Sequence, residues 1–237
     1  SIMTMNKIKF APINKHHMFT DATKPRKAKD FIPTWFRTMP HYMEDETQLT
    51  LSKNTFSTVR RCPSFHEVFS TGFVLVAPCD MFLKIQKDGK FNWETPDAIY
   101  QIDTHADYQF SSHYPNKNIK GVFKLVYPYM AITPKGYGCI QLPMLYHNNP
   151  DFYVPYGYLE TDIYHELNPQ IIVTADNIEE GIIIKQGTPL NYLIPYKKDK
   201  WDIEYLDYSE ELEKKFTDIK FNLLGKFSGG FFKNIKR

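Results

Sequence analysis

From position 57 onward the apolar residues fall into short runs, broken by Gly, Pro, Asn and Asp, which is the pattern of brief β-strands joined by turns. The runs predict strands at 57–61, 73–77, 81–86, 91–94, 98–102, 121–125, 130–133, 138–142, 158–160, 170–174, 181–185 and 190–196, with an earlier edge strand at 8–13. Asp88-Gly89 sits between two apolar runs as a two-residue hairpin signal. Pro134-Lys-Gly136 reads as another turn. The stretch 157–166, G-Y-L-E-T-D-I-Y-H-E, reads as a β-hairpin with Glu160 and Asp162 at its centre. Helical spacing is clear once: Leu212, Phe216, Ile219 and Leu223 form one apolar stripe behind the capping pattern Asp207-Tyr-Ser-Glu210, and the helix is expected to lie against the β body. Pro33 suits a first helical position, so a short helical turn is expected around 30–37, with Trp35 and Phe36 anchoring the irregular N-terminal segment.

Composition sharpens the β reading. Aromatic residues make up 16% of the 237 residues, and large flat side chains favour pleated surfaces. A hydrophobic fraction of 42% is enough for a sizeable core. The net charge of +2 argues against a general nucleic-acid binder. The basic clusters at Lys24, Arg26, Lys27 and Lys29, and at Lys226, Lys233, Lys236 and Arg237, read as solvated ends. Cys62, Cys79 and Cys139 have no zinc spacing and read as thiols of a reducing compartment. No run reaches the ~18 apolar residues of a membrane span, and the first residues lack a signal-peptide core. The expected location is the cytoplasm, the host's if the chain is viral.

Four segments, taken in order, resemble the dUTP pyrophosphatase and dCTP deaminase superfamily. They are Thr71-Gly-Phe-Val-Leu75, Pro134-Lys-Gly-Tyr-Gly-Cys-Ile140, Gly157-Tyr-Leu-Glu-Thr-Asp162 and Ile184-Lys-Gln-Gly-Thr-Pro-Leu-Asn-Tyr-Leu193, and Ser228-Gly-Gly-Phe231 is similar to the family's glycine-rich closing arm. The resemblance implies a β-clip fold that often trimerises. It implies Glu160 as general base, Asp162 as its orienting neighbour, and Gly157 and Tyr164 at the nucleotide, with Tyr164 as sugar platform. Lys226, Gly229, Gly230 and Phe231 would close over a nucleotide held with magnesium. The departures lie in the chemistry. Val74 stands where the family places a metal-positioning Asp, and Glu160 where it has an Asp. Pro143, Met144 and Leu145 replace the phosphate-holding Arg-Ser-Gly, and none of them donates through its side chain. A second resemblance is broader: Ile32-Pro-Thr-Trp-Phe36, Arg61-Cys-Pro-Ser-Phe65 and Thr133-Pro-Lys-Gly-Tyr-Gly-Cys139 together are similar to an uncharacterised family that recurs in marine phages and bacteria.

His105-Ala-Asp107 with His147 or His165 downstream has the linear form of a two-His-one-carboxylate iron site, whose usual form takes 2-oxoglutarate. The basic residue expected about ten positions after the second His is missing: the next is Lys185. His16-His17, on opposite faces of an extended chain, reads as a surface pair. Cys62, Cys79 and His66 make at most a partial metal shell. No G-x-S-x-G elbow or P-loop is present.

The expected fold is mainly β, a distorted β-barrel or β-clip-like body, organised as a packed arm (1–56), a β domain (57–206) and a helix with a basic tail (207–237) in one globular unit. The expected function is a non-enzymatic binding or assembly module with no cofactor. It would self-associate, as a trimer, through exposed aromatics such as Tyr127, Tyr129 and Tyr153. The alternatives are a divergent nucleotide-processing enzyme using magnesium, and an Fe(II)/2-oxoglutarate oxygenase with iron on His105, Asp107 and His165. A bound nucleotide is a candidate partner; a membrane and general nucleic acid are not.

Overall fold

A computed structural model describes residues 5–44, 55–104, 114–115 and 118–229. The chain divides into two compact units, 1–198 and 199–237. The first unit is mainly β. In chain order its strands are β1 (Lys9–Pro12), β2 (Arg26–Lys27), β3 (Tyr42–Glu44), β4 (Thr55–Ser57), β5 (Phe73–Val76), β6 (Met81–Ile85), β7 (Phe91–Glu94) and β8 (Gln101–Thr104). They continue as β9 (Gly121–Val126), β10 (Tyr129–Ile132), β11 (Tyr137–Pro143), β12 (Phe152–Tyr153), β13 (Gly157–Leu159), β14 (Gln170–Val173), β15 (Ile182–Ile184) and β16 (Pro189–Lys197). Two short helices, α1 (Thr34–Thr38) and α2 (Pro63–Ser70), interrupt them.

The strands pair into a five-stranded sheet of order β13-β11-β16-β5-β2, a four-stranded sheet β12-β14-β9-β8, a three-stranded sheet β15-β6-β7 and two ribbons, β1-β10 and β3-β4. Every pairing is antiparallel. The mainly-β expectation holds, and no sheet closes on itself among the described residues. The centre of the five-stranded sheet is buried on both faces. Leu75 and Ala77 on one side of β5, and Leu193 of β16, join the main core with Phe123, Leu125 and Ile171. Val74 and Val76 on the other side join a smaller core with Ala28, Met144 and Tyr192. That placement explains why 73–77 reads as a continuous apolar run rather than an alternating one.

Several turns follow from single residues. Asp88-Gly89 links β6 to β7, with Ile85 opposite Phe91 and Gly89 at φ 83°. The 134–136 turn ends on Gly136 at φ 85° and opens β11. Positions 57–61 depart from the strand expectation: Val59–Arg61 is a 3-10 turn that leads into α2. Pro63 stands at the start of α2, and Phe65 and Phe69 follow at helical spacing, a signal that Pro-broken aromatic composition obscures. Phe36 of α1 and Phe69 of α2, both 1% exposed, pack with ring centroids 4.5 Å apart. The Trp35 indole N–H donates to the Tyr146 carbonyl at 2.7 Å, which anchors the N-terminal segment as its aromatic composition suggested.

The second unit holds an extended stretch and α3 (Glu210–Gly229). The helix starts at Glu210 with Ser209 as its cap: the Leu212 N–H donates to Ser209 Oγ at 3.3 Å, and Asp207 lies two residues too early for that task. It continues through Gly225 to Gly229. No helix among the described residues is long and apolar enough to cross a membrane.

Candidate functional site

The 157–166 stretch is half of the hairpin that its sequence suggests. Gly157–Leu159 pairs with Cys139–Gln141 of β11, as Tyr158 lies opposite Ile140. The chain then turns: the N–H groups of Ile163 and Tyr164 both donate to the Glu160 carbonyl, at 2.9 and 2.7 Å. Among the described residues no returning strand pairs with 157–159, which forms the edge of the five-stranded sheet.

The turn brings Glu160 and Asp162 together around a residue that the motif comparison did not single out. Lys198, one residue past β16, places its ammonium 2.5 Å from Glu160 Oε2 and 2.8 Å from Asp162 Oδ1. The second Asp162 oxygen, Oδ2, accepts the Gly136 N–H at 2.9 Å. The Lys198 N–H donates to the Gly136 carbonyl at 2.8 Å. A further layer lies beneath: the Thr133 and Thr161 hydroxyls are 2.7 Å apart, and the Thr161 hydroxyl points at Cys139 Sγ, 3.5 Å away. The arrangement is a clasp that holds the 134–136 turn, the 160–164 turn and the end of β16 together. The signal for it was the Lys197-Lys198 pair closing a long apolar strand.

The charges follow from these contacts. The Asp162 side chain is 5% exposed while that of Glu160 is 53% exposed. The Lys198 ammonium, helped by the Gly136 N–H, holds the Asp162 carboxyl below the usual carboxylate range against the cost of burial. In return Asp162 first, and Glu160 second, push the Lys198 ammonium upward. A carboxyl whose folded pKa is depressed adds stability above its unfolded pKa, about 3.9, and loses it as pH falls through the lower folded value. The gap in melting temperature between the protein and Asp162→Asn should therefore be steady from neutral pH to about pH 5 and close below about pH 4. A gap that stays constant into acid would contradict the clasp.

The remaining expected site residues scatter. Tyr164 is 58% exposed and its hydroxyl donates to Glu166 at 2.7 Å, a contact that pushes its pKa up. Gly157 has open space around it. Lys226 and Gly229 fall on the last turns of α3. Gly230, Phe231, His105 and Asp107 lie outside the described residues. The His165 Nδ1 is 2.7 Å from the Thr161 carbonyl, which occupies that nitrogen. No cluster of three or more His, Cys, Asp or Glu suited to a metal occurs among the described residues.

Two expectations about surfaces are corrected. Tyr127 and Tyr129 are 0% and 2% exposed, because their hydroxyls find partners inside: Tyr127 donates to the Val76 carbonyl at 3.1 Å and Tyr129 to the Met18 carbonyl at 2.7 Å. Neither can serve an interface, and Tyr153 is half-buried. His17 is also buried, at 7% exposed, against the Tyr100 ring, and burial lowers its pKa.

Pro143, Met144 and Leu145 line a cavity of about 440 Å³ with Asn148, Phe152 and Leu190. Among the described residues, its wall carries no charged side chain. A phosphate there would meet apolar surface and neutral amides, a poor exchange for its hydration shell.

No family model matches the chain, and no curated protein matches it. Among solved structures, a dUTPase of Staphylococcus bacteriophage 80alpha with dUpNHpp is similar with a TM-score of 0.38 at 8% identity, over 87% of this chain and 91% of that one. Figures this low carry no activity from one protein to the other.

Proposed function

We propose that the chain is a non-catalytic binding or assembly module. The observation that carries this reading is the Lys198 ammonium lying on both Glu160 and Asp162. A general base needs a free lone pair within reach of the proton that it takes. Here the buried carboxylate has both oxygens engaged, and the exposed one is neutralised by a close cation. The apolar cavity at Pro143–Leu145 supports the same reading, since it offers no charge to a phosphate. The test is phosphate or pyrophosphate release from a panel of deoxynucleoside triphosphates with magnesium. The expected result is no release above the blank, equally for the protein and for Glu160→Gln. Release that disappears in Glu160→Gln would overturn the reading and restore Glu160 as a base.

A further inference from the structure

The second unit contains Trp201-Asp-Ile-Glu-Tyr205, in which apolar and acidic residues alternate as they do on a strand with one buried face. Yet 201–208 belongs to no strand or helix. Trp201 is 90%, Ile203 73% and Tyr205 89% exposed. Large apolar residues exposed in series, rather than singly, mark an interaction surface. The surroundings are strongly acidic: between positions 199 and 213 seven acids face Lys200 alone.

The first unit carries a trough of matching chemistry. It is about 640 Å³ in volume and lies between the chain entering β1 and the segment of β2. Ile8, Phe10 and Phe73 give it an apolar floor, with the Phe10 and Phe73 rings edge to face at 6.0 Å. Lys7, Arg26 and Lys27 border it, opposed by Asp30; Lys24 also borders it but is paired with Asp21 at 2.8 Å. Arg26 lays its guanidinium over the Phe31 ring, and its Nε is buried with no hydrogen-bond partner among the described residues. β1 and β2 are both edge strands, each paired on one side only among the described residues. An open edge beside an apolar floor is a template for an added strand.

We propose that the 201–205 stretch of a second copy of this chain docks in this trough, with Trp201, Ile203 and Tyr205 on the floor and Asp202 and Glu204 toward Lys7 and Lys27. The proposal rests on the assembly half of the function given above and names the surfaces that assemble. Charge complementarity selects this occupant. An acidic strand meets a basic rim, and burying about three large apolar side chains gives the contact its affinity while the charges set its register.

The test is light scattering on the full chain from about 1 to 100 μM, at low and at high salt. The expected result is a mass above one chain at low salt that falls toward one chain as salt rises. Lys27→Glu and Glu204→Lys should each weaken association about tenfold or more, and the two together should recover most of it. Trp201→Ala should weaken it without recovery by either charge change. If Lys27→Glu loses its fold by circular dichroism, Lys7→Glu takes its place. A one-chain mass at every concentration overturns the proposal, as do charge reversals whose effects only add. An oligomer indifferent to Lys7, Lys27 and Trp201 would end this docking and leave the non-catalytic reading standing. Phosphate release lost in Glu160→Gln would do the reverse.

Discussion

Tyr127→Ala should lower the unfolding free energy by about 3–5 kcal/mol, as aromatic truncations in packed cores do. Tyr127 is fully buried, so the surrounding atoms can close only part of the space that the ring leaves. It also has a second task. Tyr127 follows β9 of the four-stranded sheet, and its hydroxyl donates to the Val76 carbonyl in β5 of the five-stranded sheet. Tyr127→Phe keeps the ring and removes that bond, which should cost about 1 kcal/mol. Urea unfolding of the three proteins separates the two contributions. Against a stability of about 5–15 kcal/mol, typical of a domain, the Ala substitution removes from about a fifth of the total to all of it. A loss for Tyr127→Ala no larger than that for Tyr127→Phe would mean that the core collapses freely, contrary to the packing described.

Gly72→Ala comes next, at about 2–5 kcal/mol. Gly72 has φ 83°, in the left-handed region, where a side chain costs about 1–2 kcal/mol. A Cβ there would also stand 2.6 Å from the Leu193 carbonyl oxygen, and backbone of a paired central strand cannot step aside as a flexible side chain would. Shifting packed backbone adds about 1–3 kcal/mol. Gly89→Ala is the matched control: the same φ of 83° with nothing within 4 Å of the added carbon. It should lose only the conformational part. Equal losses at the two glycines would show that the contact with Leu193 is not there.

Most strands were legible because each signal is local. Phe91–Glu94, Gln170–Val173 and the Asp88-Gly89 turn are read from residues that lie side by side in the chain. The departures come from contacts that no local pattern encodes. Tyr127 and Tyr129 look like surface aromatics until β5 and the 18–23 segment supply partners for their hydroxyls. Glu160 and Asp162 read as a pair from the motif alone, and the contact of Lys198, some forty residues on, with both does not. The motif order points to this turn, but the ammonium that lies on its two carboxylates comes from the end of another strand. Arg26 and Lys27 read as solvated charges, and only their pairing with Val74 and Phe73 sets them beside an aromatic floor.

The pairings have a consequence for how the protein is made. β1 pairs with β10, β5 meets β16 only at the far end of the unit, and β6 waits for β15, so several partners lie about a hundred residues or more apart. Such distant pairings close large loops before they are rewarded, which slows folding. During synthesis at about 5–20 residues per second, the first strands emerge roughly 10–40 s before β16 does. The five-stranded sheet has no centre until then. β5 and β11 must wait for their shared partner over that interval, a long exposure of the apolar residues of β5 on the nascent chain.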